Sequence, residues 1–134
     1  MDNAKQKSIS ALVVTHNEEK QLAECLQGLS FADQLVVVLD KCTDDSKLIA
    51  SKFTENLIEG NWDLEGDRRN AGIRACDSDW ILEVDSDERV STPLADEIRE
   101  VIKHTEAGYF LIPFDNYVGE KRVRYGWGAS WGVS

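Results

Sequence analysis

Trp80-Ile81-Leu82-Glu83-Val84-Asp85-Ser86-Asp87-Glu88 is the stretch on which the architecture turns. A mostly apolar run reads as a buried strand, and two carboxylates one residue apart stand at its end. In open α/β sheets, ligands bind in the crevice outside the carboxyl ends of the strands. Carboxylates clustered there call for a cation to offset their repulsion. Oxygen-only ligands favour Mg2+ or Mn2+ over softer metals, and such an ion keeps positions for water and substrate phosphates. The strand end therefore points to a site for a metal and a diphosphate.

Working outward, Ile9 to Val14 reads as a first buried strand, ending at Thr15-His16-Asn17-Glu18-Glu19. Thr15 or Asn17 can cap a helix that runs to about Gly28, and the two Glu suit its first turn. Leu35 to Leu39 reads as a second strand. A polar turn follows, Asp40-Lys41-Cys42-Thr43-Asp44-Asp45-Ser46, with Asp44 a candidate cap for a helix to about Phe53. A short strand is expected near Asn56 to Glu59 and a helix over Glu65 to Ala75. Thr92-Pro93 opens a helix through Ile102. Tyr109 to Pro113 reads as a strand, and Asn116 to Lys121 as a turn into an edge strand from Arg122 to Tyr125.

Apolar strands alternating with helices predict an α/β fold, a mostly parallel sheet with helices on both faces. Right-handed crossovers then put the ends of strands one, two and four on one rim. Thr15 to Glu18, Asp40 to Asp45 and Asp85 to Glu88 converge there.

The 134 residues amount to one domain, and 42% hydrophobic content suffices for a core. A formal net charge of -10 argues against non-specific nucleic-acid binding. Cys25, Cys42 and Cys76 form no CxxC and read as reduced thiols rather than a disulfide framework. No signal-peptide h-region and no apolar run near the ~20 residues of a membrane span are present. We therefore expect a cytoplasmic chain without a membrane span, with peripheral association at the inner membrane face left open. The tail Gly126-Trp127-Gly128-Ala129-Ser130-Trp131-Gly132-Val133-Ser134 has neither helical nor strand periodicity, and suggests a truncation.

Several phosphate-site alternatives fail on the letters. A haloacid-dehalogenase-type DxDx[TV] would meet Arg89 at its fifth position. An EF-hand would meet Val90 where glycine is required and Asp96 at the final Glu. Neither a P-loop nor a GxGxxG after a strand is found. Bland readings stand beside the functional ones. Asp44 and Asp45 read first as a capping turn, Glu88 as a turn stabiliser, and His16, alone, as no metal site. Arg68 and Arg69 have surface pairing as their plainer role.

Val13-Val14-Thr15-His16-Asn17-Glu18-Glu19, Asp40 with Thr43-Asp44-Asp45-Ser46, Arg69-Asn70-Ala71-Gly72 and Leu82-Glu83-Val84-Asp85-Ser86-Asp87-Glu88 together resemble the family 2 glycosyltransferases of the GT-A fold. Asn116-Tyr117-Val118-Gly119 through Arg124-Tyr125-Gly126-Trp127 is similar to the branch that includes lipopolysaccharide core glycosyltransferases. The resemblance implies a Rossmann-like nucleotide-binding sheet, a nucleoside-diphosphate sugar donor with UDP favoured, and Mn2+ or Mg2+. It implies transfer with inversion to a glycan or glycolipid hydroxyl. By that resemblance Thr15, Asn17 and Glu18 line the nucleoside pocket, Asp40 approaches the base, and Arg69 with Asn70 closes the pocket. Asp85 and Asp87 form the DxD element, the first facing ribose or a metal-bound water, the second binding the metal. The chain departs from the family where Leu39 stands at the usual base-reading Asp and Asp40 one place later. Relatives also continue into an acceptor-binding half that supplies the catalytic base. Residues 1–134 would then be one nucleotide-sugar-binding domain ending before that half, with Asp115 the carboxylate nominated as base. A non-catalytic nucleotide-sugar-binding domain is the second hypothesis, and an interaction protein without nucleotide the third.

Overall fold

The computed structural model describes residues 7–106, 108, 116–118 and 121–123. The order is β1 (Ile9–Thr15), α1 (Glu19–Gln27), β2 (Gln34–Asp40), α2 (Ser46–Ser51), β3 (Leu57–Gly60), α3 (Glu65–Ala75), β4 (Trp80–Asp85), α4 (Thr92–His104), β5 (Asn116–Val118) and β6 (Lys121–Val123). The first four strands form one sheet in the order β3-β2-β1-β4. All its pairings are parallel, with Thr15 opposite Leu39 and Val14 opposite Asp85.

Both residue sets of the alternating strands are apolar because both faces are covered. Ile9, Ala11, Val13, Val37, Leu39, Leu82 and Val84 pack with Leu22, Cys25 and Leu26 of α1, Ala50 of α2, and Ile98 and Ile102 of α4. Leu12, Val36 and Val38 face the other way, against Ile73, Ala75, Cys76 and Trp62. There α3 lies close to the sheet. A Cβ built on Gly72 falls 2.8 Å from Val38 Cγ2 and closer still to Leu12 Cδ1, so hydrogen is the side chain that fits.

α4 begins as its letters require, with Ser91 Oγ accepting the Leu94 N–H and Pro93 in the first turn. α1 begins differently from expectation. Glu18 is its cap residue and makes no side-chain cap bond. The Glu19 N–H is instead met by Asp44 of the next loop at 3.2 Å. α2 is also shorter than expected, ending at Ser51. Asn116 to Val118, read as part of a turn, pairs antiparallel with Lys121 to Val123. The expected strand Tyr109 to Pro113, the tail tryptophans and Asp115 lie outside the described residues.

The chain steps outward from β1 to β2 and β3, then returns to the far side of β1 as β4. That reversal is a topological switch point, where open α/β sheets form their ligand crevice. The carboxyl ends of β1, β2 and β4 meet on this rim.

Candidate nucleotide and metal site

Thr15 ends β1 with only 2% of its surface exposed, and its Oγ1 has no hydrogen-bond partner among the described residues. The chain then turns through Asn17, whose φ of 49° lies in the left-handed region. His16 Nδ1 donates to the Asp40 carbonyl at 2.7 Å, tying the first rim loop to the end of β2. Asn17 Oδ1 accepts the N–H groups of Thr43 at 2.7 Å and Asp44 at 3.3 Å, and its Nδ2 donates to Thr43 Oγ1 at 3.3 Å. Glu19 and the second loop bond reciprocally, since Glu19 Oε2 accepts the Asp45 N–H at 3.0 Å. Glu18 is half-buried between these contacts.

Asp40 is 4% exposed at the end of β2. One oxygen accepts from Arg68 of α3 at 2.8 Å and the other from the Trp62 backbone at 3.1 Å. Burial alone would raise this carboxyl. The Arg68 and Trp62 hydrogen bonds and the charges of Arg68 and Lys41 hold it below its ordinary value. Arg69, one residue on, turns toward β4. It pairs with Glu65 at 3.2 Å and with Glu83 at 3.5 Å. Asn70 follows on α3 and is exposed.

At the end of β4 the acids fold into a tight turn. Glu88 Oε1 accepts the Asp85 N–H at 2.7 Å, and the Glu88 N–H donates to the Asp85 carbonyl at 2.9 Å. Arg89 braces the turn through the carbonyls of Ser86 and Glu88 and reaches Glu24 of α1 at 3.5 Å. Beneath it the Cys25 thiol donates to the Asp85 carbonyl at 3.5 Å. Burial pushes that thiol up to about 12, so it stays protonated at neutral pH and works as a donor. Asp85 and Asp87 are exposed. Desolvation at the rim, then the charge of Asp87, raises the Asp85 carboxyl, and Arg69 only partly opposes this.

Among the described residues no three His, Cys, Asp or Glu side chains gather into a ready-made metal cluster. The donor set nevertheless fits a hard divalent cation shared with a ligand. Mg2+-type ions are held by one or two carboxylates plus substrate phosphates rather than by all-protein cages. Two exposed carboxylates at the end of β4, Asp85 and Asp87, would suit that half of a coordination sphere.

The expected residues thus fall into two groups on one rim: Thr15, Asn17, Glu18 and Asp40 around the ends of β1 and β2, and Asp85 and Asp87 at the end of β4. Arg69 and Asn70 approach from α3. Arg68, to which the sequence pointed only as a surface pair, makes the closest contact with the Asp40 carboxylate. The available signal was its spacing of four from Gly72, which puts both on the helix face toward the sheet.

A family model described as glycosyl transferase family 2 matches residues 10–128. An uncharacterized glycosyltransferase of Rickettsia conorii is 29% identical over 111 residues, covering 81% of this chain and 39% of that protein. The chain therefore spans well under half the length of this curated relative. The crystal structure of Staphylococcus aureus TarS 1-349 superposes with a TM-score of 0.59 at 27% identity, over 69% of this chain and 31% of that one. Mycobacterium tuberculosis glucosyl-3-phosphoglycerate synthase, solved with Mn2+, UDP and glucosyl-3-phosphoglycerate, gives a TM-score of 0.55 at 18% identity, over 62% of this chain and 36% of that one. At that identity the likeness speaks for the fold alone, which in these neighbours is GT-A.

Proposed function

The chain belongs to glycosyl transferase family 2, and from that premise we propose that it binds a nucleoside-diphosphate sugar and serves transfer of the sugar to an acceptor hydroxyl. The observation that carries this reading is the convergence of the ends of β1, β2 and β4 on one rim beside the switch point, with Asp85 and Asp87 facing solvent there.

Thr15, Asn17, Glu18 and Asp40 form the nucleoside side of the site, and Arg69 and Asn70 flank it from α3. Asp85 and Asp87 would hold Mn2+ or Mg2+, Asp87 as the principal ligand. The cation supplies Lewis-acid stabilisation of the negative charge that collects on the leaving group. Buried Thr15 Oγ1 is a polar atom at the crevice with room in its hydrogen-bonding capacity. The reaction is a single displacement. An acceptor oxygen attacks the anomeric carbon, the bond to the diphosphate breaks, and the configuration inverts. The attacking hydroxyl is a poor nucleophile until a carboxylate takes its proton, and Asp115 is nominated for that step. UDP is the favoured carrier. The acceptor class is a glycan or glycolipid of the lipopolysaccharide type, which would bring a cytoplasmic chain to the inner membrane face. No described helix is long and apolar enough to cross a membrane.

The second reading is a non-catalytic nucleotide-sugar-binding domain. Titration with UDP and Mn2+, comparing the native chain with Asp87→Ala, tests the common ground of both. Changes one shell outside a metal weaken its binding about 10–100-fold, so losing a ligand should weaken it at least as much. Undiminished metal-dependent binding by Asp87→Ala would remove the DxD assignment. Donor turnover, as hydrolysis or transfer, then separates the two readings.

A further inference from the structure

We propose that Asn17 is a positioning residue, which shapes the nucleoside side of the rim by clasping the loop after β2 without touching the nucleotide. This rests on the nucleotide-binding reading above and deepens it. The side-chain amide of Asn17, on the exposed rim, bonds the loop after β2 through both its oxygen and its nitrogen. Oδ1 takes two N–H groups, from Thr43 and Asp44, and Nδ2 donates to Thr43 Oγ1. An amide oxygen has two lone pairs, and both are engaged here. A contact with the ligand through Oδ1 would require breaking the clasp, and the second N–H of Nδ2 is the one group of the amide outside it.

The backbone is shaped for this arrangement. Asn17 has φ 49° and Lys41 has φ 53°, so each loop leaves its strand through a left-handed residue. Asn adopts that region more readily than most residues. The Glu19 contacts lie immediately beyond, where Asp44 Oδ2 accepts the Glu19 N–H and Glu19 Oε2 accepts the Asp45 N–H. Asp44 Oδ1 also accepts the Ser46 N–H at 2.9 Å, so the clasped loop leads directly into α2. His16 holds the Asp40 carbonyl at the other end of the same loop. Residues 40 to 46 are therefore anchored to the first rim loop at both ends and in the middle. Pre-ordering a loop lowers the entropy cost of binding a ligand against it.

The test uses the native chain, Asn17→Gly and Asn17→Asp. Glycine keeps the left-handed backbone at no steric cost and deletes the amide. Aspartate keeps an acceptor oxygen for the Thr43 and Asp44 N–H groups. Hydrogen exchange at the amides of residues 43–45 is read without ligand. The Kd is read with Mn2+ and whichever of UDP and GDP binds the native chain more tightly. In Asn17→Gly the amides of Thr43 and Asp44 should exchange about tenfold faster and the Kd should rise about tenfold, as expected for losing one or two net hydrogen bonds. Asn17→Asp, which keeps the acceptor oxygen, should keep exchange at Thr43 and Asp44 within about threefold of native. Native affinity in Asn17→Gly overturns the role. So does weakened affinity with native exchange at residues 43–45, because the amide would then be touching the nucleotide. A native chain that binds neither nucleotide overturns the parent reading itself, and this role with it.

Discussion

Asp40 is where residue-level physics is most exacting. A carboxylate 4% exposed is costly unless every lone pair in use is matched, and here Arg68 and the Trp62 N–H match it. The ion pair therefore stabilises the fold whatever else it does for a ligand. Asp40→Asn keeps the shape and removes the charge, leaving the Arg68 guanidinium only the more distant Glu65, at 3.9 Å, as a counter-ion. Hydrogen bonds to charged groups contribute about 1.5–3 kcal/mol. Arg68 keeps 27% of its side chain in solvent, which softens the loss. A destabilisation of about 1–2 kcal/mol at pH 7 is expected in urea melts. The folded-state carboxyl is depressed, so its contribution is fully present above the ordinary carboxylate value of 3.8. It is lost as pH falls through the lower folded-state value. The gap between native and Asp40→Asn should thus narrow progressively as the melts are repeated at pH values falling below 3.8. A gap unchanged by acid would mean the lost stability is packing rather than charge.

At the scale of elements, α3 shows what the letters could and could not disclose. Its bounds, Glu65–Ala75, are those its pattern predicted. Its phase against the sheet was legible in part, from the spacing of Arg68 and Gly72, but only packing sends Arg68 to Asp40 and Arg69 to Glu83. Strands β1, β2 and β4 were readable because a parallel strand covered on both faces is apolar without interruption. The start of α1 was not, since its first N–H is met by Asp44 from another loop, and non-local caps leave no local signal. Two glycines of α3 give a paired test of this packing. Gly66 has open space where a Cβ would stand, whereas at Gly72 the Cβ would meet Val38 Cγ2 at 2.8 Å and Leu12 closer still. Gly66→Ala should stabilise by about 0.4–1 kcal/mol through the unfolded state. Gly72→Ala gains the same helix preference but overpacks a core at a cost of about 1–3 kcal/mol, and β-branched Val38 has little rotamer freedom with which to yield. The two variants should therefore move the urea midpoint in opposite directions. Equal shifts would mean that α3 can move off the sheet without cost.

Taken whole, the molecule is an acidic body, with a formal net charge of -10, that is proposed to bind a polyanion. On the proposed reading a divalent cation would lie between them. The rim offers Asp85 and Asp87, and no cluster of three metal-binding side chains exists among the described residues. On that reading the protein would hold part of a coordination sphere and the diphosphate the rest, so each ligand should depend on the other. Mn2+ alone should scarcely raise the melting temperature, and UDP with a chelator should do no better. Both together, at about 100 times Kd, should stabilise by about 2.7 kcal/mol. For a chain of this length that corresponds to a rise on the order of 10 °C. Reciprocity is part of the expectation, for the factor by which Mn2+ tightens UDP must equal the factor by which UDP tightens Mn2+. If Mn2+ alone produced the full rise, the protein would carry a complete metal site, and the division of ligands drawn from Asp85 and Asp87 would be wrong. If UDP bound equally well with the chelator present, the rim acids would not face the diphosphate.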